Sequence, residues 1–534
     1  MKLKTLYPVL WILPIFTLMW GIFILFYFDT FYSRNIDPEY PYLINGLNAA
    51  ILKFNQIGHY DHPGTPFQIL CGLVIRITHL FTGKGSITQD VINRPDYYLY
   101  SISLFLIILQ SVLVYVIGYI GQKRGINKTP LVILQSGVLL NSILLLIFCR
   151  VYPERWLVIT SILFIIIYLS YGYNKRKPFT FAIASGIVMG MGLATKFNYL
   201  PLLVIPLLLM DNYKHKFIYI GTSALSFFCF ILPIINRFKD YWNFIIRMAT
   251  HDGIYGKGQE RMFNPDIISE NIVQVIKATP EVLFFLITLF TLVVIVIIKK
   301  KKTREINYAL FFSGSIIIFL FQLLMVIKHY KADYLMPLLS IYPLFLFIIY
   351  RYFEDLYSDN KHRLTPILLL LLICIFFSIN YTVKEIPILK KESKQREELQ
   401  CYVSKNVAED AVWFVNPSWK RTPYVENALV YGFCYCRHTH RYLPELLQKN
   451  PTIITFEGEN KSVKIWRILP ASLDSVLATG KAIHIYDAPK RDTYKLIDVI
   501  SDVSKKHNYS LQIDTLFTQK EMKAHILSIH LNNM

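Results

Sequence analysis

Long apolar runs alternate with short polar loops from the N-terminus to about residue 381. An apolar run of about 20 residues is long enough to cross a bilayer as a helix. The pattern therefore predicts a polytopic α-helical membrane protein with about 11 spans. The predicted spans are residues 7–28, 97–119, 130–149, 156–173, 178–194, 199–211, 217–236, 280–298, 306–327, 334–350 and 364–381.

The pattern changes after about residue 385, where short apolar runs alternate with polar stretches. Runs beginning at Val412, Thr452 and Ala482 are typical of buried strands, and residues 496–507 are typical of a helix. The sequence therefore predicts two domains. Residues 1–385 form the transmembrane domain and residues 386–534 form a soluble α/β domain, which is long enough to bury a core of its own.

Composition supports this division and bears on the partners. The chain is 54% hydrophobic with a mean hydropathy of +0.39. In a soluble protein, a net charge of +20 would suggest nucleic-acid binding. Most basic residues, however, lie in short loops between spans, where the preference of cytoplasmic loops for lysine and arginine explains them. The predicted partner is the lipid bilayer, with no nucleic acid.

One segment decides the orientation of the chain. Residues 66–82 are apolar but contain Arg76 and His79. Counting them as a span would turn the later basic loops outward, whereas a helix lying at the outer interface leaves those loops in the cytoplasm. The N-terminus is then cytoplasmic. Residues 29–96 and 237–279 form long outer loops, and the C-terminal domain is periplasmic or extracellular, in a multi-pass protein of the inner (plasma) membrane.

Acidic residues open the first outer loop. Asp37 and Glu39 follow the first span, separated by Pro38. A carboxylate held at a membrane surface and partly desolvated can act as a general base toward a hydroxyl group. The same residues also fit an ordinary helix start, where carboxylates interact favourably with the helix dipole. The local sequence supports both interpretations equally.

Further outer-face residues are candidates for binding a sugar or phosphate. Asp61 and His62 precede a Pro-Gly turn, and Glu154 follows Pro153 after the predicted third span. Caps, turns and a helix start explain these residues as well. In the second outer loop, His251 and Tyr255 lie in a glycine-rich stretch that fits either a loop closing over a substrate or a flexible connector.

Lysines at outer turns depart from the expected charge distribution. Lys196 follows the predicted fifth span, and Lys328 and His329 follow the predicted ninth. Such residues can bind a lipid phosphate. Lysines that extend toward the headgroups or anchor the chain there are the alternative. The Cys434–His440 stretch lacks the spacing of a zinc site, so no metal ligand is assigned.

Together these motifs resemble the GT-C superfamily of polyprenyl-phosphate-dependent glycosyltransferases, in the branch of protein O-mannosyltransferases and the lipid A aminoarabinose transferase. The shared features, covering about residues 1–350, are Asp37 and Glu39, His62-Pro63, Pro153-Glu154, Gly192 to Lys196 and His329 to Pro337. The acidic pair of the family is often adjacent. Because Pro38 separates the pair here, the resemblance leaves open whether Asp37 or Glu39 is the base.

The resemblance implies inverting transfer of a sugar from a polyprenyl-phosphate donor to a hydroxyl of a glycan, lipid or protein acceptor. Asp37 or Glu39 would deprotonate the acceptor. Lys196, Lys328 and His329 would stabilise the leaving phosphate, with help from residues 251–258. No cofactor is assigned, although a divalent metal ion remains possible because some relatives use one.

A transporter or flippase of lipid-linked glycans is the alternative function. Transporters tend to contain paired repeats and ionisable residues near the midplane of the membrane. The spans here carry almost no charge, and the polar groups gather at their outer ends. This distribution favours the enzyme.

Overall fold

The structure is a computed structural model. It describes the following residues: 7–27, 30–34, 37–61, 64–299, 307–356, 365–407, 411–415, 425–437, 439–457, 462–487, 493–520 and 524–533.

Helices account for most of the chain up to residue 406. In chain order they are α1 (Val9–Tyr27), α2 (Phe31–Arg34), α3 (Glu39–Ala50), α4 (Thr65–Thr82), α5 (Ile87–Asn93), α6 (Pro95–Lys123), α7 (Lys128–Gln135), α8 (Ser142–Leu146), α9 (Pro153–Ile167), α10 (Pro178–Thr195), α11 (Val204–Leu209), α12 (Tyr213–Ile231), α13 (Phe238–Thr250), α14 (Pro265–Ala278), α15 (Pro280–Lys299), α16 (Tyr308–Lys328), α17 (Met336–Ser340), α18 (Tyr342–Leu356) and α19 (Thr365–Asn406).

Ten helices in the described part of the chain are long and apolar enough to cross a membrane, which confirms a polytopic helical protein. Nine of them correspond to predicted spans. The predicted span 130–149 is instead broken into α7, a 3-10 turn over Ser136–Leu140, and α8. Asn141 ends the turn in an extended conformation, and its side chain accepts a hydrogen bond from the Ile143 N–H. This polar cap starts a new helix where a continuous span was predicted.

Two other predicted segments also differ from the expected pattern. Residues 199–211 contain a shorter apolar helical segment, Phe197–Leu209. Helix α4 is counted among the ten, although its mean hydropathy of 1.2 is the lowest of them. It covers the segment that the charge distribution assigns to the outer interface, so length and hydropathy alone do not distinguish a crossing helix from an interfacial one.

A seven-stranded sheet forms the centre of the C-terminal region. Strands β1 (Val412–Val415), β2 (Ile453–Glu457), β3 (Ser462–Ile465), β4 (Leu469–Ala471), β5 (Ile483–Asp487), β6 (Tyr509–Gln519) and β7 (Ala524–Asn533) follow the order β4-β3-β2-β1-β5-β7-β6. Helices α20 (Val425–Cys434), α21 (Leu443–Lys449), α22 (Leu473–Leu477) and α23 (Thr493–Lys506) complete the region.

The central strands of this sheet are parallel. β1 pairs with β2 in the register Trp413↔Ile453, and with β5 in the register Val412↔Ile483. All four residues of β1 are buried, as expected for a parallel strand covered on both faces. The three predicted strands, the predicted helix and the α/β class are thereby confirmed.

The chain divides into two compact units, each assembled from three segments. The first comprises Met1–Phe26, His59–Phe67 and Ser103–Ile386. The second comprises Tyr27–Gly58, Gln68–Ile102 and Pro387–Met534. Much of the first predicted outer loop therefore folds together with the C-terminal region, whereas the sequence places the domain boundary at residue 385.

Helix α3 explains why the second unit draws on distant segments. All twelve of its residues are buried, so it needs partners on every side. Asn45 Nδ2 donates to the Tyr435 carbonyl (3.1 Å), and Tyr442 donates to Asn48 Oδ1 (2.5 Å). The C-terminal region thus provides hydrogen bonds that the buried amides of α3 require.

The predicted orientation can be tested by labelling with a membrane-impermeant maleimide in a chain without its native cysteines. Lys84 and Arg176 are both exposed. Lys84→Cys is expected to react in intact cells, because the loop 29–96 is predicted to face outward. Arg176→Cys is expected to react only after permeabilisation, since basic loops are retained in the cytoplasm. The reverse pattern would contradict the predicted orientation.

Candidate functional site

A buried ion pair in the first unit joins two of the predicted site residues. Lys196 donates to the carboxylate of Glu154. The Glu154 side chain is 1% exposed and that of Lys196 is 11% exposed. Glu154 Oε2 is buried, and no described residue hydrogen-bonds to it. The pair therefore retains one carboxylate oxygen able to accept a hydrogen bond from a bound hydroxyl.

Local sequence places both partners at helix ends. Tyr152 is extended and caps α9, Pro153 occupies the first turn, and Glu154 follows it. This arrangement is typical of helix starts. Lys196 is the extended residue that ends α10. Gly192 is required just before it, because a Cβ there would overlap the Tyr199 ring.

The segment between α16 and α17 packs against Lys196. The Lys196 ammonium lies 4.1 Å from the centroid of the Tyr334 ring, a distance at which cation–π attraction is effective. The Tyr334 carbonyl accepts hydrogen bonds from Asn198 and Gln322, both at 3.1 Å. These two bonds fix the backbone that carries the ring.

Lys328 and His329 contact the last turn of α13. Lys328 donates to the Ala249 carbonyl, and His329 Nε2 lies 2.8 Å from the Met248 carbonyl. Carbonyl groups at a helix C-terminus attract positive charge and hydrogen-bond donors. The segment Lys328 to Tyr334 therefore links the C-terminal end of α13 to the Glu154–Lys196 pair.

His329 is a neutral hydrogen-bonding residue rather than a cation. Burial lowers its pKa, and the nearby charge of Lys328 lowers it further, while the bond to Met248 and the charge of Asp252 act in the opposite direction. A carbonyl only accepts hydrogen bonds, so Nε2 carries the proton and Nδ1 holds a lone pair. Nδ1 is buried, and no described residue hydrogen-bonds to it.

The glycine-rich loop after α13 is held by its own hydrogen bonds. The Gly253 N–H donates to the Lys257 carbonyl at 2.7 Å, and the Asp252 N–H donates to the Gln259 carbonyl at 3.2 Å. His251 ends α13 and pairs with Glu260 through an isolated antiparallel β-bridge between their backbones. Tyr255 is 44% exposed. These two backbone N–H groups are therefore used within the loop rather than being available to a phosphate.

The turn that leads into α4 lies beside Lys196. The Gly64 N–H donates to the Thr195 carbonyl at 3.0 Å, and Thr65 donates to the Phe230 carbonyl at 2.5 Å. Asp61 is half-buried at a bend. The candidate His62 lies outside the residues that the structure describes.

Asp37 and Glu39 belong to the second unit. Asp37 is half-buried in a turn, and Glu39 is 1% exposed at the start of α3. The peptide bond between Asp37 and Pro38 is cis. Asp96 fixes the neighbouring backbone and α3, since its carboxylate accepts from the Phe31 N–H at 3.1 Å and from Tyr40 at 2.8 Å.

Within the first unit, the structure thus joins Glu154, Lys196, Lys328 and His329 through one segment. His251 follows the last turn of α13 in the chain. Sequence reasoning missed Tyr334 and Asp333, the latter a buried acceptor of a hydrogen bond from Tyr152. It also missed Arg155. An arginine at a helix start that is predicted to face outward departs from the expected charge distribution, as Lys328 does.

No metal centre is visible in the parts of the chain that the structure describes. No group of three or more His, Cys, Asp or Glu residues there is placed to hold a metal ion. His438, in the Cys434–His440 stretch, lies outside those parts. Whether the protein uses a divalent metal ion stays a matter of prediction.

Two solved structures resemble the whole chain. The crystal structure of ArnT from Cupriavidus metallidurans bound to undecaprenyl phosphate matches with a TM-score of 0.51 and 10% identity. The apo structure of the same protein matches with a TM-score of 0.50 and 11% identity. Each match covers 96% of this chain and 97% of the ArnT chain. This chain has the GT-C fold.

The GT-C fold is found here through structure alone. No family model matches the sequence, and no curated protein matches it. The likeness to ArnT extends through the C-terminal region, whereas the sequence motifs cover only about residues 1–350. The resemblance inferred from short motifs in order is therefore confirmed at the level of the fold.

The Glu154–Lys196 pair can be tested by thermal unfolding of the purified protein. Lys196→Met leaves a buried carboxylate without its partner and is expected to lower the free energy of unfolding by roughly 3 kcal/mol or more. Adding Glu154→Leu removes the unpaired charge and is expected to recover most of that loss. A double variant as unstable as the single one would contradict the pairing.

Lys331→Met provides the matched control for this comparison. The Lys331 side chain is 42% exposed and lies 3.7 Å from the Asp333 carboxylate. Because the Lys331 ammonium is exposed, solvent weakens this pair to about 0–1 kcal/mol, and Tyr152 still donates to Asp333 in the variant, so little change in stability is expected.

Proposed function

We propose that this protein is a membrane glycosyltransferase that transfers a sugar from a polyprenyl-phosphate donor to a hydroxyl acceptor at the outer face of the inner membrane. The observation that carries the proposal is the buried Glu154–Lys196 pair within a GT-C fold. The ArnT structure with that fold holds undecaprenyl phosphate, which supports a lipid phosphate as donor.

Asp37 is the general base of the proposed reaction. Both acidic residues of the first outer loop are candidates, but Glu39 is buried in the first turn of α3, whereas Asp37 is half-buried. The more accessible carboxylate is better suited to reach an acceptor hydroxyl. Asp37 takes the hydroxyl proton as the acceptor oxygen bonds to the anomeric carbon, with inversion.

The bond from the anomeric carbon to the phosphate oxygen breaks in the same step. Polyprenyl phosphate leaves with the electron pair of that bond, so negative charge grows on the phosphate. Lys328 and Lys196 stabilise this charge electrostatically. Glu154 offsets the positive charge that develops on the sugar ring, and its unpaired Oε2 can accept a hydroxyl of the sugar.

His329 contributes to sugar binding in this proposal. Its lowered pKa keeps the imidazole neutral near pH 7, and the lone pair on Nδ1 accepts a hydrogen bond from a sugar hydroxyl. Asp61, His62, His251 and Tyr255 complete the predicted contacts to donor and acceptor. The acceptor is a glycan, a lipid or a protein.

A direct test is the rate of sugar transfer in purified membranes supplied with a polyprenyl-phosphate sugar. Asp37→Asn keeps the size of the side chain but removes the base, and is expected to lower the rate roughly 100-fold or more. Glu39→Gln is expected to lower the transfer rate less than Asp37→Asn does. Transfer at the wild-type rate by Asp37→Asn would exclude Asp37 as the base.

Asp266→Asn is the matched control for this assay. Asp266 is an exposed acidic residue in the first turn of α14, and it has no role in the proposed chemistry. Its substitution is expected to leave the transfer rate unchanged.

A further inference from the structure

One carboxylate, that of Asp96, binds the chain on both sides of the acidic pair in the first outer loop. Before the pair, the Phe31 N–H donates to Asp96 Oδ2 at 3.1 Å. After the pair, the Tyr40 hydroxyl donates to Asp96 Oδ1 at 2.8 Å. Phe31 is 1% exposed and Tyr40 is 0% exposed. Asp96 therefore holds together the two ends of the segment that carries Asp37.

Asp96 is itself held in place by the start of α6. It lies in the first turn of this helix, where the helix dipole favours a carboxylate. Tyr100, one turn later on the same face of α6, packs edge-on against the Phe31 ring with 5.1 Å between the centroids. Tyr98 donates to Asp90 of α5 at 2.5 Å. These contacts give the Asp96 oxygens a fixed position.

The first turn of α3 transmits this constraint to Asp37. Tyr40 lies in that turn, and the Tyr42 N–H donates to the Pro38 carbonyl at 3.0 Å. The residue after Asp37 thus belongs to the same hydrogen-bonded turn as Tyr40. Burial, together with the charge of Asp96, raises the pKa of Tyr40, so its hydroxyl stays protonated and remains a donor.

A general base needs this kind of support from its surroundings. It must come within about 2.6–3.2 Å of the hydroxyl that it deprotonates, and a misplacement of about 1 Å can cost roughly 100-fold in rate. Asp37 lies in a turn, which holds a side chain less firmly than the interior of a helix or strand does. The contacts on either side of Asp37 supply the missing constraint.

We propose that Asp96 and Tyr40 are positioning residues that hold the base Asp37 where it meets the acceptor hydroxyl. This inference rests on the proposed function, because both residues act through the base of that reaction. Neither residue needs to touch the donor or the acceptor.

The first test measures kcat for sugar transfer and KM for the polyprenyl-phosphate sugar in the purified full-length protein. Tyr40→Phe keeps the buried ring but removes the bond to Asp96. It is expected to lower kcat roughly tenfold and to leave KM within about twofold of the wild type. Asp96→Ala is expected to lower kcat at least as much, and Asp96→Asn less, because its amide oxygen still accepts one hydrogen bond. Wild-type kcat in Tyr40→Phe and Asp96→Ala would overturn the inference.

A double variant separates positioning from a general loss of stability. If Tyr40 acts through Asp37, Tyr40→Phe is expected to have little further effect on the residual rate of Asp37→Asn, since the base is already gone. A purely structural Tyr40 would lower the rate by the same factor in both backgrounds. That result would contradict a positioning role.

Tyr442→Phe is the matched control. Tyr442 is also buried and donates to the same helix, at Asn48 near the other end of α3 (2.5 Å). The variant is expected to unfold at a lower temperature than the wild type and to keep its kcat. A fall in kcat as large as that of Tyr40→Phe would show that any weakening of α3 reduces transfer, and the inference would be wrong.

Hydrogen–deuterium exchange tests the same contacts without turnover. In Asp96→Ala, the Phe31 N–H loses its charged acceptor, so the peptide containing Phe31 is expected to exchange roughly tenfold faster. A peptide from β5 is expected to exchange as in the wild type. Unchanged protection around Phe31 would show that Asp96 does not hold this segment, and would also overturn the inference.

These measurements distinguish the two proposals. If Asp37→Asn abolishes transfer but Tyr40→Phe and Asp96→Ala do not reduce it, the inference fails while the proposed function stands. If the wild type transfers no sugar, the proposed function fails and the positioning role fails with it. Faster exchange in Asp96→Ala would then report only a structural contact.

Discussion

Burying the carboxylate of Glu154 removes it from water at a cost of several kcal/mol, and only a close partner charge offsets that cost. Lys196 supplies this charge, and its own position depends on the end of α10, on Gly192 and on the Tyr334 ring. The ion pair therefore links the start of α9, the end of α10 and the segment between α16 and α17. An electrostatic requirement of this kind keeps the site in one geometry before any substrate binds.

The distribution of buried polar groups follows from the membrane. Lipid cannot hydrate charged groups, so they concentrate where helices begin or end and partners are available. Glu154 and Arg155 lie in the first turn of α9, Lys196 ends α10, and Lys328 ends α16. Charge at helix ends suits an enzyme that works at headgroup depth better than a transporter with charge at the midplane.

Much of the fold was predictable because hydrophobic period and run length are local properties. The spans around α9 and α15 and the buried strands β1, β2 and β5 were found in this way. The break at Asn141 was not, because an average over an apolar window conceals one polar cap. Glu154 and Lys196 were each identified, but they are 42 residues apart, and their pairing depends on helix packing that no local pattern encodes.

The protonation states of buried groups, and which of them lack an oppositely charged partner, also could not be predicted from the sequence. His329 was expected to stabilise the leaving phosphate, and the sequence does not reveal the burial that lowers its pKa. Arg155 was overlooked because its lack of an acidic partner becomes visible only in three dimensions. The most direct measurement is a cryo-electron microscopy structure of the protein in nanodiscs with undecaprenyl phosphate. The account predicts phosphate density beside Lys196 and Lys328, close to the Glu154–Lys196 pair. Phosphate density far from this pair would contradict it.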